Sequence, residues 1–414
     1  MALNNFIGEA LCSPDDYISY SVSERLACVN PGRAVIEGES DNFEVEEYAR
    51  AGLCSFVADR AAHSQFTTQW QGAELPLLEE AENGCFTVLW RGQLFDVVYL
   101  TWTKSGYRQR HHWIAADTRE AAEAFYRAVC EWCAEVRGEV LVFDGGYWTK
   151  SKELYESIRG ASFDQLVLPA ALADELRADL PRFFAARETY ERYGVPWKRG
   201  LLLIGPPGNG KTHAVKAMVG ALGLPCLYVK SLTACDGEHA SIRRVFERAR
   251  RTQPCLVVLE DVDSLVHDKN RSFFLNELDG FAANTGVVVI GTTNHPERLD
   301  SSILDRPSRF DRKFYFELPA AAERLRYVES WNERLQPEMR LDDASAAAVA
   351  ADTDGFSFAY LKELFVSSMT EWVGAGGGAP FAGLLRARAV RLREQMSAAR
   401  EEAKREVDKE GDDD

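Results

Sequence analysis

The chain has 414 residues, 46% hydrophobic and 27% charged, an ordinary balance for folded domains and enough length for about two or three of them. Its formal net charge of −16 excludes a broadly basic surface, so a nucleic-acid or anionic-membrane partner is not expected. No apolar run approaches the roughly 18 residues of a spanning helix, and nine cysteines without framework spacing argue against a disulfide scaffold.

The start, MALNNFIGEALCSPDD, has no basic region ahead of an apolar one, so a secretory signal is not expected and the cytoplasm is the default location. Six of the nine tryptophans (Trp70, Trp90, Trp102, Trp113, Trp132, Trp148) lie in the first 150 residues, which suggests a domain with its own core. CFTVLW, LFDVVYLTW and YRQRHHWIAA alternate or run apolar between turn-like breaks and read as a β-meander. An amphipathic helix, REAAEAFYRAVCEWCAEV, follows, then a strand at EVLVF. Together these predict a small α+β recognition domain over residues 1–160. Cys130 and Cys133 on that helix lack the second pair of a zinc site and read as helix thiols. His111 and His112, as strand neighbours, face opposite ways and read as structural.

From residue 161 to 318, apolar strands (LLLIG, CLYVK, CLVVLE, VVVIGTTN, KFYFELP) alternate with helical segments, the pattern of a parallel α/β sheet flanked by helices. Residues 319–373 read as helical. Residues 374–414 open on a breaker, GAGGGAP, and continue as a charged helical tail. In that tail Leu385, Ala389, Leu392, Met396, Ala399 and Ala403 repeat four-three, a weak heptad seam compatible with a coiled coil or with a solvated, fraying helix.

GPPGNGKT, comprising Gly205, Pro206, Pro207, Gly208, Asn209, Gly210, Lys211 and Thr212, leaves an apolar strand and opens a helix. Glycines at that spacing let backbone N–H groups curl around phosphate oxygens, and the helix N-terminus adds its positive dipole end. Lys211 then reaches the β- and γ-phosphates of ATP, and the Thr212 hydroxyl ligates Mg²⁺. About fifty residues on, LVVLEDVD drives Glu260, Asp261 and Asp263 onto the end of a buried strand. One acid there is needed to hold Mg²⁺ and a second to polarise the attacking water. Glu260 takes the first role and Asp261 the second, with Asp263 left as a spare, a turn or interface residue. Asn294 ends another strand, where it can orient the lytic water. Arg306 and Arg309 in LDRPSRFDR offer guanidinium groups to the transferring phosphoryl.

In this order, the features resemble the AAA family of ring-forming ATPases from about Ser162 to Leu361. The stretches SFDQLVLPAALADELRADLPRFFAARETYERYGVPWKRGLLLIGPPGNGKT, LEDVD, FFLNELDGF and TTNHPERLDSSILDRPSRFDRKFYFELP look closest to the clade of the mitochondrial chaperone that translocates the Rieske iron–sulfur protein. The resemblance implies Lys211 and Thr212 as nucleotide ligands, Asn294 as first sensor, Arg306 and Arg309 as trans-acting fingers, and Gln165 beside adenine. It also implies that GFSFAYLKEL belongs to a lid, and that the protein forms a hexameric or heptameric ring acting on a protein client.

The clade's N-terminal membrane helix has no counterpart in this sequence. Where threading members of the family place an aromatic grip, this sequence has Cys235 and Asp236. The expectation is therefore ATP hydrolysis by a ring that remodels or translocates a protein client without threading it. A small-molecule kinase, a DNA-directed ATPase and a nucleotide-gated scaffold are the alternatives.

Overall fold

The computed structural model describes residues 6–40, 42–59, 63–70, 77–104, 107–136, 138–280, 284–304, 306, 308–376, 378 and 380–410. The chain divides into two compact units, Met1–Arg137 and Gly138–Asp414.

The first unit carries helices α1 (Phe6–Leu11), α2 (Ile18–Val29), α3 (Val45–Arg50) and α4 (Arg119–Ala134). Its strands are β1 (Ala34–Gly38), β2 (Ser55–Ala58), β3 (Gln65–Gln69), β4 (Leu78–Trp90), β5 (Gln93–Lys104) and β6 (Tyr107–Ala116). They form an antiparallel sheet in the order β1-β6-β5-β4-β2, with β3 on the far end of β4. The long apolar run in β5 follows from burial on both faces. Val97 and Tyr99 pack with Phe125 and Val129 of α4, while Val98 and Leu100 pack with Ile18, Val22 and Leu26 of α2. His111 and His112 divide the same way. His111 Nδ1 meets Glu37 at 2.8 Å, whereas His112 lies 2% exposed against Phe43.

The second unit begins with the hairpin β7 (Val140–Asp144) and β8 (Tyr147–Ser151) and the helices α5 (Lys152–Arg159), α6 (Ala170–Ala185) and α7 (Arg187–Arg192). Then come β9 (Arg199–Ile204), α8 (Lys211–Leu222), β10 (Cys226–Val229), α9 (Glu238–Thr252), β11 (Cys255–Leu259), α10 (Val262–Leu265) and α11 (Arg271–Asp279). After β12 (Val287–Thr293), α12 (Ser301–Leu304) and β13 (Arg312–Tyr315), four helices close the unit: α13 (Ala321–Asn332), α14 (Asp343–Asp352), α15 (Phe358–Gly374) and α16 (Phe381–Glu410). The sheet order is β13-β9-β12-β11-β10-β7-β8, parallel except for β8. All five residues of β11 are buried, each large aliphatic among them worth roughly 1.5–3 kcal/mol. That burial fixes β11 at the centre and sets where its acidic end emerges.

Two expectations change. EVLVF, assigned from sequence to the first domain, pairs in parallel with β10 (Leu141 beside Leu227) and so extends the nucleotide-binding sheet. The tail seam is neither a coiled coil nor fraying at its start. Leu385, Ala389 and Leu392 are buried in one core with Leu364 and Phe365 of α15, so α16 is part of the helical lid at least to Met396. The side chains of Ala399 and Ala403 lie outside the described residues. Among the described residues, no helix is long and apolar enough to cross a membrane.

Candidate active site

Three glycines after β9 occupy positions that other residues cannot. Gly205 has φ of 154°, and a Cβ there would lie 2.0 Å from the Phe316 carbonyl oxygen. At Gly208 and Gly210 a Cβ would lie 2.6 Å from Ala359 and 2.9 Å from Leu166, both with positive φ. The loop is thus enclosed by the segment before α6 on one side and by the lid on the other. The lid contact is direct, because Ala359 N–H donates to the Gly208 carbonyl (3.0 Å) and Phe358 N–H to Asn209 Oδ1 (3.4 Å).

Lys211 is 6% exposed and donates to the Gly205 and Pro206 carbonyls at 2.6 and 2.9 Å. Burial lowers the pKa of its ammonium, while the charges of Asp261 and Asp263 pull it back up. A cation held this way lies beside any phosphate the loop cradles. Pro206 and Pro207 are exposed on the loop's outer side. Asn209 Nδ2 is buried without a partner. Gln165 sits near the loop, but its side chain accepts from Ser162 N–H (3.2 Å) in a capping box, which seats this segment over α8 together with the His213–Ser162 contact.

The acids emerge from β11 and are held from both flanks. Glu260 accepts from the Tyr228 hydroxyl of β10 at 2.5 Å. Asp261 adopts a left-handed backbone (φ 51°, ψ 59°), uncommon outside glycine and a mark of local strain at a working site. Its N–H donates to Thr292 Oγ1 (3.0 Å), and Asn294 Nδ2 donates to its carboxylate (2.9 Å). The Asp261 carboxyl is pushed above its ordinary range by burial, then by the charges of Asp263 and Glu260.

Asp263, in the first turn of α10, is also tied to the strand that leads to Asn294. It accepts from Thr293 Oγ1 at 2.7 Å, and its charge reaches both Lys211 and Asp261. The signal for it was present in TTN, whose two hydroxyls and amide face the acids across β12 and β11. Tyr228 was equally hidden, since a tyrosine in an apolar strand reads as core.

The donor set suits a hard cation that arrives with phosphates. Among the described residues the exposed Thr212 hydroxyl has no partner, Glu260 follows β11, the next strand but one from β9, and no group of three or more ligating side chains could hold a metal alone.

The arginines lie elsewhere. Gly200, at the start of β9, abuts the Arg309 carbonyl, whereas Gly205, at its end, abuts Phe316. Five residue steps along a strand separate these ends by roughly 16 Å. Arg309 is 7% exposed, with Nε and Nη2 donating to Asp279 (3.1 and 3.0 Å) and Nη1 donating to the Ser302 carbonyl. Arg306 is largely exposed, with a long 3.5 Å contact to Asp279. Neither reaches the phosphate loop of its own chain.

Residues 201–318 match the ATPase family associated with various cellular activities (AAA). The chain carries an AAA ATPase domain. ATP hydrolysis is the reaction of such a domain, and the phosphate loop, acids and Asn294 lie within the AAA match. Relatives include the ATP-dependent zinc metalloprotease FtsH of Acidothermus cellulolyticus, 39% identical over 207 residues, covering 45% of this chain and 30% of that protein. The chloroplastic ATP-dependent zinc metalloprotease FTSH 6 of Oryza sativa subsp. japonica is 34% identical over 239 residues (52% of this chain, 33% of that protein). The Ruminiclostridium cellulolyticum FtsH is 32% identical over 234 residues (52% and 35%). The chain thus spans about a third of the length of these curated relatives.

Proposed function

We propose that this protein is an ATP-hydrolysing ring of identical subunits that remodels or moves a protein client. One observation carries the reading: the phosphate loop and Arg306 occupy opposite ends of β9, so a complete site needs two copies. In this reading Lys211 binds the β- and γ-phosphates, and Thr212 and Glu260 hold Mg²⁺, which neutralises charge on the phosphates when bound. Asp261, oriented by Asn294, accepts the proton of the attacking water. Arg306 of the neighbouring copy meets the transferring phosphoryl, and Arg309, fixed by Asp279, shapes the loop that presents it. Gln165 belongs to the segment beside the adenine.

The Glu-Asp order at 260–261 is what favours the clade of the Rieske-protein translocase within the AAA family. The relatives' names include zinc proteolysis. No histidine of this sequence is followed by glutamate, so it contains no His-Glu-x-x-His, and we do not carry that activity over.

We further propose that the client is not threaded. Asp236 is salt-bridged to Arg244, whose Nη1 also donates to the Gly146 carbonyl (3.3 Å), so the loop after β10 is fastened to the β7–β8 hairpin. Tyr228, the aromatic that precedes that loop in sequence, is committed to Glu260. The tryptophan-rich first unit is then the surface for the client, and nine cysteines without framework spacing favour the cytoplasm.

The test supplies ATP without an acceptor and measures phosphate release, then offers a client fused to a stably folded fluorescent domain. Phosphate release with fluorescence retained is expected. An absolute need for a small-molecule acceptor would turn the reading to a kinase, and ATP-driven loss of fluorescence would establish threading.

A further inference from the structure

Glu260 and Asp261 are consecutive, yet they are held by different strands. Thr292 and Asn294 of β12 engage Asp261, whereas Glu260 has one hydrogen-bond partner among the described residues, the Tyr228 hydroxyl of β10. The register explains the reach. Tyr228 lies directly beside Val258 in the parallel β10–β11 pair, and Glu260 is two residues further along the same face. A phenol spans that step while its ring packs on the sheet core. Phenylalanine would serve the ring's packing equally well; only the hydroxyl needs an explanation. A part-buried tyrosine hydroxyl in an apolar strand takes a partner, and here the partner is the Glu260 carboxylate.

We propose that Tyr228 is a positioning residue for Mg²⁺ binding, fixing the Glu260 carboxylate so that its second oxygen is presented to the metal and its waters. The proposal rests on the reading of Glu260 as the magnesium-side acid. Its physical basis is that a carboxylate with one oxygen anchored loses less rotamer freedom when it engages the ion, and partners that orient metal-binding groups typically alter metal affinity by about 10–100-fold when removed.

A second consequence follows from β10 itself. Lys230, one residue past β10, bridges to Asp144 of the hairpin at 3.1 Å, so the strand that holds Glu260 is anchored at the same end to β7–β8. The anchor that orients the acid is therefore itself part of a fixed edge.

The experiment is calorimetric binding of ATP to full-length protein in excess chelator and across a Mg²⁺ titration, for wild type, Tyr228→Phe, Glu260→Gln and the double variant, with thermal melting as a check on folding. For Tyr228→Phe, ATP affinity in chelator stays within about twofold of wild type, and the Mg²⁺ concentration for half-maximal enhancement rises about tenfold. The double variant matches Glu260→Gln alone, since the hydroxyl acts only through that carboxylate. Mn²⁺ paramagnetic resonance, which reads the bound ion directly, shows the same ranking. An unchanged Mg²⁺ midpoint in Tyr228→Phe, an equal loss in chelator and Mg²⁺, or additive effects in the double variant would each overturn the proposal while leaving Glu260 in place. If Glu260→Gln itself leaves the Mg²⁺ midpoint unmoved, the reading of Glu260 fails, and the proposal falls with it.

Discussion

Beyond the C-terminal end of β9, Asn209 Nδ2 is buried without a partner, the Thr212 hydroxyl is free among the described residues, and three carboxylates crowd one another. Around its N-terminal end the charges are paired with one another, although Arg199 Nε, Arg312 Nε and Asp179 Oδ2 make no hydrogen bond. Arg309 is paired with Asp279, Arg199 with Asp179, and Lys198 donates to the Leu278 and Asp279 carbonyls. At the first end, the buried Asn209 amide lacks a partner and the acids repel one another, a local cost that a bound ligand can relieve. At the second the cations have carboxylate or carbonyl partners, and Arg306 beside them is largely exposed. The two ends differ in kind: one gathers acids near a glycine-rich loop, the other pairs its cations with Asp179 and Asp279.

The largest effect should come from emptying the receiving end. Lys211→Ala removes the cation facing the β- and γ-phosphates and should weaken ATP binding at least ~100-fold by calorimetry. Arg306→Ala should leave binding within about twofold, because it lies at the other end. Equal losses in both variants would erase the distinction between the two ends.

Next come the acids. Asp261→Asn should bind Mg-ATP normally and hydrolyse it roughly 100-fold more slowly, the scale of a lost general base. Glu260→Gln should instead raise the Mg²⁺ requirement. Interchanged phenotypes would mean that the roles follow residue type and not position.

Asp263→Asn sharpens the picture with a smaller change. It keeps the side chain's shape but weakens the charged hydrogen bond from Thr293 and removes a repulsion on Asp261, so kcat should fall about tenfold with KM nearly constant. A rise in KM with kcat unchanged would place Asp263 in binding instead.

What sequence disclosed follows the same division. The phosphate loop was legible because glycine suits the backbone at 205, 208 and 210, and a lysine followed by a hydroxyl residue answers phosphate and metal together. The pairing of β7 with β10 was not, since it joins segments some eighty residues apart and leaves no local trace. The small residues of the α16 seam read as a weak coil, when Ala389 is small because it is buried within the lid core. The tie between Asp263 and Thr293 was not legible either, since it joins residues 30 apart in the chain.

The smallest expected effect separates the two units. Burial raises Glu44, in the first unit, to about 7, against roughly 4.3 for an unfolded glutamate. A folded pKa above the unfolded one means the folded state binds the extra proton between those values. The contribution to stability is therefore complete below the unfolded pKa and lost as pH rises through about 7. Five of the nine tryptophans lie in residues 1–137, so tryptophan emission reports mainly that unit. Its melting midpoint should fall between pH 5 and pH 8, and Glu44→Gln should flatten that slope; an unchanged slope would assign it to other groups.

The central claim is that one working site is built from two copies of the chain, and mixing two inactive variants tests it most directly. Lys211→Ala and Arg306→Ala proteins should each be inactive alone. Mixed, with subunit exchange confirmed by fluorescence transfer, they should regain ATPase activity, highest at equal proportions and about a quarter of wild type if interfaces act independently. At those interfaces the intact phosphate loop of one copy meets the intact Arg306 of the other. Silence at every mixing ratio, or full activity of Arg306→Ala by itself, would contradict the account.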